Sequence, residues 1–452
     1  MLKRPQIVFL NRSYWPDIEA TGQLLTDLSV DLARQLDIHV VCGQPNFPEP
    51  DRSFIRSGIE VRRNVTIHRL SHRTYQKNSR NPVGRVMSMI SFYRAACRYL
   101  RQANLSADVI VSQTDPFLLP LAGAQHARRT GARHCVYLQD IYPDVAEAIG
   151  KLRMPLLGRS IRRQLRQAYQ SADKIIVLGR CMRQRLTGRR WAIDPQKIAI
   201  LPNWADCSHL EPIEPYDNHF RLRHRVHDRF VVMHSGNMGL TQRLEVLIRA
   251  AAEPEWPMRA KLLLVGDGAS RDRLIAFADQ LGLTEDRIEF MPYQRRENLA
   301  ESLSAADVHV VSMHEQIAGC LCPSKLYGIL SVGRPVIAIA DQATDLSRLV
   351  AEKNLGWCVR PGQSKQIART VAQAEAESTR LFALPHIEKS RQQAARNIAL
   401  TEYDRPVIAE RFSCLLHDMV QQSTKIHPAH ATPMAPILPV GPTANSDIAL
   451  LP

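Results

Sequence analysis

Residues 314–340, HEQIAGCLCPSKLYGILSVGRPVIAIA, hold the side chains best suited to gripping an anion. Pro323 stands where a helix would open, because its missing N–H is of no consequence in a first helical turn. The free amides of such a turn, with Ser324 and Lys325 beside them, make a phosphate site. Gly333 and Pro335 end the helix, and an apolar strand follows. An ordinary strand–helix–strand unit with a surface lysine has the same spacing. Other loops carry similar promise. Thr21 and Gly22 precede a helix after the strand IVFL, and Gly236 and Gly239 sit in GNMGLTQR after FVVMHS, with Arg243 early in the helix that follows. Glycine there lets a backbone approach a ligand, though simple strand-to-helix turns look alike. VGDG places Asp267, and FMPYQ places Tyr293, at the ends of two further strands. Ligands of open α/β sheets gather beyond the carboxyl ends of strands, so four loops in one half of the chain point to one crevice.

Those loops need a scaffold, and the apolar pattern supplies one. Short apolar runs at 7–10, 38–42, 65–70, 109–112, 135–138, 175–178 and 198–201 alternate with helical patterns near 21–36, 82–102, 118–129, 155–171 and 181–187. The rhythm restarts with strands at 230–234, 261–265, 288–292, 308–311, 336–339 and 357–359, and helices between them. Such alternation predicts α/β domains with parallel sheets covered on both faces. The expected organisation is a first Rossmann-like domain over 1–205 and a linker over 206–228, rich in proline and charge. A second such domain follows over 229–387, then helices over 388–421 packing back toward the first, and a disordered tail over 422–452 with six prolines after Ser423.

Taken together, GNMG, VGDG, FMPYQ…NL, AADVHVVSM, PSKLYGIL and GRPVIA resemble the retaining glycosyltransferases of family 4, in the branch near colanic-acid-type exopolysaccharide enzymes. YWPDIEATGQLLTDLSVDLA, VYLQDIYPD and KIAILPNWAD in the first half agree, so the resemblance spans about residues 5–420. It implies a GT-B fold, two facing Rossmann-like domains with a nucleotide-diphosphate sugar bound mostly by the second. It implies no resident cofactor. By the same resemblance Ser324 and Lys325 sit at the donor diphosphate, Gly236 lets its loop approach, and Asp267 and Tyr293 lie near the nucleoside. Gly22 faces the donor from the first domain, and Asp140 lines the acceptor side. The chain departs from the family in three places. Asn237 stands where an arginine is usual, leaving Arg243 to supply the loop's charge. Ala318 and Gly328 fall at a pair of glutamates, with Glu315 the nearest acid, and Gln139 replaces a common histidine.

The implied reaction is transfer of a sugar to an acceptor hydroxyl with retained configuration. Its barrier lies largely in the departing diphosphate, and a well-placed charge or amide there is worth ~3–4 kcal/mol. Lys325 and Arg243 are the candidates. Asp140 is a further candidate as a polarising group, or else a loop-capping aspartate. No acidic DxD-type cluster is needed, so a metal-independent hexosyltransferase is expected. A sugar-nucleotide epimerase of the same fold and a non-catalytic subunit of a polysaccharide-assembly complex are the rival readings.

Net charge is +15. Residues 61–107 hold ten Lys or Arg and no acid, and residues 151–172 hold six and none. Val86, Met89, Ile90, Tyr93, Cys97 and Leu100 recur at helical spacing between Arg85, Arg94, Arg98 and Arg101. This reads as an amphipathic basic helix facing an anionic membrane surface, although a core-packed helix with solvated arginines fits equally. Nucleic acid is not expected, since no nucleic-acid-binding motif accompanies the charge. Nine scattered cysteines without CxxC spacing fit neither a disulfide framework nor a zinc cage. The expected location is cytoplasmic, peripheral on the inner face of the cell membrane, with a lipid-linked saccharide as acceptor.

Overall fold

A computed structural model describes residues 4–46, 54–74, 82–103, 105–150, 155–383 and 390–424. The strands of the first half are β1 (Gln6–Leu10), β2 (Asp37–Cys42), β3 (Gly58–Arg62), β4 (Val65–Arg69), β5 (Val109–Ser112), β6 (Arg133–Tyr137), β7 (Lys174–Val177) and β8 (Ile198–Ile200). Between them run α1 (Ala20–Leu32), α2 (Pro82–Gln102), α3 (Leu119–Thr130), α4 (Asp144–Ala148), α5 (Pro155–Ser171) and α6 (Arg180–Thr187). The second half opens with α7 (His219–Arg223). It continues as β9 (Phe230–Ser235), α8 (Glu245–Ala251), β10 (Ala260–Val265), α9 (Arg271–Gln280), β11 (Ile288–Met291), α10 (Leu299–Ser304) and β12 (Val308–Ser312). Then come α11 (Lys325–Ser331), β13 (Val336–Ile339), α12 (Asp345–Glu352), β14 (Gly356–Val359) and α13 (Ser364–Ala383), and finally α14 (Ser390–Glu402) and α15 (Arg405–Thr424).

Among the described residues these strands form two sheets, in the orders β3-β4-β2-β1-β5-β6-β7-β8 and β11-β10-β9-β12-β13-β14. All pairings are parallel except β3 with β4. The order reverses between β1 and β5 in the first sheet and between β9 and β12 in the second. In sheets wound this way the crevice for a ligand opens at that reversal, beyond the strand ends. The loops after β1, β5, β9 and β12 therefore mark where a site belongs.

Each sheet has its own core. Phe9, Leu25, Val40, Tyr137 and Trp191 are buried around the first, and Val232, Leu247, Leu264, Val310 and Ile337 around the second. Burial of a large apolar side chain contributes ~1.5–3 kcal/mol, so each core holds its own sheet together. Phe412, Leu416 and Met419 of α15 enter the first core, whereas Ala395, Ile398 and Ala399 of α14 lie with α11 residues of the second half. The two C-terminal helices thus divide between the halves.

Three sequence expectations change. The edge strand β3 and the short helix α4 were not predicted. β3 turns Ile59 and Val61 outward, 60% and 72% exposed, so its apolar residues do not mark a buried face. The expected linker packs as part of the second half from Asn218 onward. Phe220 and Val226 are buried with Val231, Met233 and Leu263, and the buried Arg221 pairs with Asp307 at 3.1 Å. On α2 the inward stripe is Phe92, Ala96 and Leu100, with Ser88, while Val86 is 52% exposed. The stripe proposed from sequence is rotated, because the bulky Phe92 rather than Val86 fills the space against α3. Arg85, Arg94, Arg98 and Arg101 do face outward. Of the tail proposed over 422–452, residues 425–452 lie outside the described residues.

Candidate active site

Lys325 is the first residue of α11, directly beyond the loop that leaves β12. Its Nζ lies 3.0 Å from Nε2 of His234, which is fully buried near the end of β9. A Cβ built on Gly236 would stand 3.5 Å from that Nζ, so the ammonium faces the glycine loop after β9. Lysine and histidine thus meet where the strand order reverses. Burial lowers the pKa of Lys325 from its ordinary value to about 7. Burial, and then the charge of Lys325, hold His234 well below the usual imidazole range, and its Nδ1 has no partner. No ion pair with a carboxylate accompanies Lys325 among the described residues. A buried cation without a counter-ion is costly, and an arriving diphosphate would supply one.

The glycines shape the floor beneath this pair. Gly236 has φ +126° and Gly266 φ +138°, a region closed to most side chains. A Cβ on Gly266 would lie 2.0 Å from the Gly236 carbonyl oxygen. The two loops therefore touch backbone to backbone, held by hydrogen bonds from Gly236 N to Val265 O and from Met238 N to Asp267 O, both 2.8 Å. The loop after β12 joins them through His314 N to Thr241 O at 2.8 Å.

The residues proposed from sequence divide as follows. Lys325 and Gly236 are together. Asn237 is exposed beside them, its amide packed against the Cβ positions of Gly239 and Gly268. Asp267 is exposed, its Oδ1 accepting from Gly268 N at 2.8 Å. Ser324 caps α11 without a side-chain hydrogen bond, and Pro323 stands one residue earlier than expected, before the cap. Arg243 is exposed with φ +47°, and its charge, after burial, helps lower the pKa of His314. Tyr293 is 60% exposed on the loop after β11.

Glu315 lies elsewhere. It lines a cavity of about 660 Å³ with Arg185, Arg189, Arg190, Asp341 and Arg360, which neither Lys325 nor His234 lines. Gly22 is buried against the first-half loop, where a Cβ would be 2.5 Å from Ser13 Oγ. Its small size serves the packing of α1 onto Ser13. At Gly328, Cβ would point toward Leu303 and Leu210. That position, aligned from sequence with a family glutamate, faces apolar packing.

The first half answers from the opposite wall. Asp140 follows β6, and its backbone forms a bridge with Leu321, four residues before Lys325. Ile141 N donates to Cys320 O at 2.8 Å. Burial raises the Asp140 carboxyl to about 6, opposed by a hydrogen bond with Thr114 and aided by Asp115. Its Oδ1 is buried without a partner. Arg85, grouped from sequence with the outward arginines, lies close enough to act on Asp140 and so belongs to this wall as well.

Sequence reasoning missed two residues here. One is His234, which reads as a core residue in an apolar strand; the signal was a polar side chain directly before a glycine loop. The other is Arg12, buried after β1 and paired with Glu19 at 2.5 Å and Asp115 at 3.0 Å. Burial works against its charge, but Asp115 and Glu19 outweigh that and raise its pKa. Beside it, burial and then Glu19 lift Asp17 to about 6. The first-half wall is thus carboxylate-rich and the second-half wall basic. That division suits an acceptor hydroxyl on one side and an anionic leaving group on the other.

Comparison with known proteins agrees with this architecture. Residues 21–204 match the model of the glycosyl transferase 4-like domain, and residues 217–398 match that of glycosyl transferases group 1. The probable glycosyltransferase WbjE of Pseudomonas aeruginosa is 25% identical over 70% of this chain and 76% of its own. The putative colanic acid biosynthesis glycosyl transferase WcaI of Escherichia coli K12 is 23% identical over 82% and 92%. HepE from Anabaena, crystallised with UDP-glucose, superposes with a TM-score of 0.67 at 16% identity, covering 91% of this chain and 99% of its own. With both halves matched by adjoining family models and the double-sheet architecture shared, the chain belongs to the GT-B glycosyltransferases.

Proposed function

We propose that this protein transfers a hexose from a nucleotide-diphosphate sugar to a polyprenyl-diphosphate-linked saccharide, with retained anomeric configuration, in exopolysaccharide or surface-polysaccharide biosynthesis. The observation that carries this reading is the Lys325 ammonium, held by His234 against the Gly236 loop with no carboxylate partner among the described residues. It is a cation awaiting an anion, and the leaving group of a nucleotide sugar is a diphosphate. Arg243 adds charge at the loop's far end. Two cations with backbone amides can carry the developing charge without a resident metal. Retention is consistent with a departing phosphate that itself takes the acceptor proton, while Asp140 polarises or orients the hydroxyl from the first-half wall. The relatives named for polysaccharide biosynthesis, and HepE with its UDP-glucose, support the substrate class.

The outward arginines of α2 support an acceptor met at an anionic membrane surface on the cytoplasmic side. Among the described residues no helix is long and apolar enough to cross a membrane.

The test is turnover. Purified protein would be incubated with UDP-hexoses or GDP-mannose and lipid-linked saccharides, and the product's anomeric proton coupling read by NMR. Transfer with the donor's configuration is expected. Transfer with inversion would overturn the retaining mechanism, and release of free sugar alone would overturn the transferase reading.

A further inference from the structure

In the reading above His234 only holds Lys325 in place, yet it is that lysine's hydrogen-bond partner. The two nitrogens are 3.0 Å apart, too close for both groups to carry charge. Backbone hydrogen bonds at Asn237 and Val310 favour a protonated imidazole, but burial and the charge of Lys325 outweigh them. From β12, the ring of His309 faces the same space and bonds Leu303 O through Nε2 at 2.9 Å. Beyond α11, Arg334 acts on His309. Besides Lys325, the ionisable group that acts on His234 is thus another histidine, His309, and among the described residues no carboxylate acts on either member of the pair. Gly236 closes the remaining side with backbone alone.

We propose that His234 and Lys325 form a pair that holds one proton at most, and that this proton is taken up from solvent as the donor's diphosphate arrives. His234 is the positioning residue: its Nε2 accepts from the lysine and aims the remaining N–H groups at the Gly236 loop. The balance is simple. Free enzyme with a neutral pair, donor and one proton give a complex in which the ammonium faces the diphosphate. The proton returns to solvent when the nucleotide leaves. The inference rests on the donor reading above and adds what sets the pH range over which a donor is held. The lowered pKa of Lys325, about 7, fits this arrangement.

Calorimetric titration with UDP-glucose and GDP-mannose, in buffers of different ionisation enthalpy between pH 6 and 9, tests it. Neither donor diphosphate ester titrates in that range. About half a proton should be taken up per donor at pH 7 and about one at pH 8, with affinity falling about fifty-fold from pH 7 to 9. His234→Gln keeps an acceptor for the ammonium and should leave the break close to its wild-type pH. His234→Phe removes it and should move the break lower. A purely structural histidine would not give this split between the two variants. Donor binding without proton uptake, or a break unmoved in both variants, overturns the proposal and leaves the transferase reading standing. Absence of binding by either donor at every pH overturns both. If His234→Phe does not fold, wild-type proton uptake still decides.

Discussion

Lys325 and Asp140, one on each half, have ionisations displaced in opposite directions, toward about 7 and about 6. The donor requires the ammonium and the acceptor hydroxyl requires a carboxylate, so kcat/KM should be bell-shaped. It should rise as pH increases through about 6 and fall above about 7. Asp140→Asn should remove the acid limb and lower kcat by about 100-fold, within the usual reach of a polarising side chain. Loss of activity with the acid limb intact would move that limb to Asp17. Lys325 also bears on stability. Its folded pKa lies below its unfolded value, so the unfolded chain binds the extra proton between about pH 7 and 10.5. The free protein should therefore gain stability from this group as pH rises through that window. Lys325→Met should abolish the gain without lowering the melting temperature at pH 7.

At the scale of elements, the site depends on loops that only glycine can cross. Gly266→Ala would drive a Cβ into the Gly236 carbonyl at a φ of +138°. The loop must shift, and the mutant should lose donor affinity more than tenfold while circular dichroism stays close to wild type. A second contact ties the halves together. Asp345, at the start of α12, accepts from the backbone N of Cys181 in the first turn of α6 at 2.8 Å. It caps a helix of the other half, and Asp345→Ala should cost about 1 kcal/mol, as loss of an N-cap does. Chemical denaturation would read that change. The strands bearing these loops were legible in sequence because buried parallel strands are short, continuous apolar runs. The edge strand β3 was not, since Ile59 and Val61 point to solvent. The glycine loops and Lys325 were legible by type and spacing. His234 was not, because one polar residue in an apolar strand carries no pattern, and its partner lies 91 positions away. At Gly22 and Gly328 sequence shows a missing side chain but not the direction in which a Cβ would point.

For the whole molecule, charge divides by location. Arg94, Arg98 and Arg101 project outward along α2, while Arg162 is consumed by Asp144 at 3.2 Å and Glu147 at 2.6 Å. The basic runs of the sequence are therefore not one uniform surface, since Arg162 is paired while Arg159 and Arg163 of α5 are exposed like the arginines of α2. Neutralising Arg94, Arg98 and Arg101 to glutamine should weaken binding to acidic vesicles on the order of 100-fold, at ~1 kcal/mol per charge near a membrane. Vesicle flotation at two salt concentrations would read it, and salt-independent binding by the triple mutant would contradict a charge-driven contact. Arg85 is left out of that set because it acts on Asp140. The most direct measurement of the central claim, that Lys325 grips a diphosphate between the two halves, is thermal stabilisation by sugar nucleotides in wild type and Lys325→Ala at pH 6.5. A donor at ~100 times its dissociation constant should stabilise the wild type by ~2.7 kcal/mol, and the same concentration should leave the mutant almost unmoved. Equal stabilisation of the two proteins would contradict it.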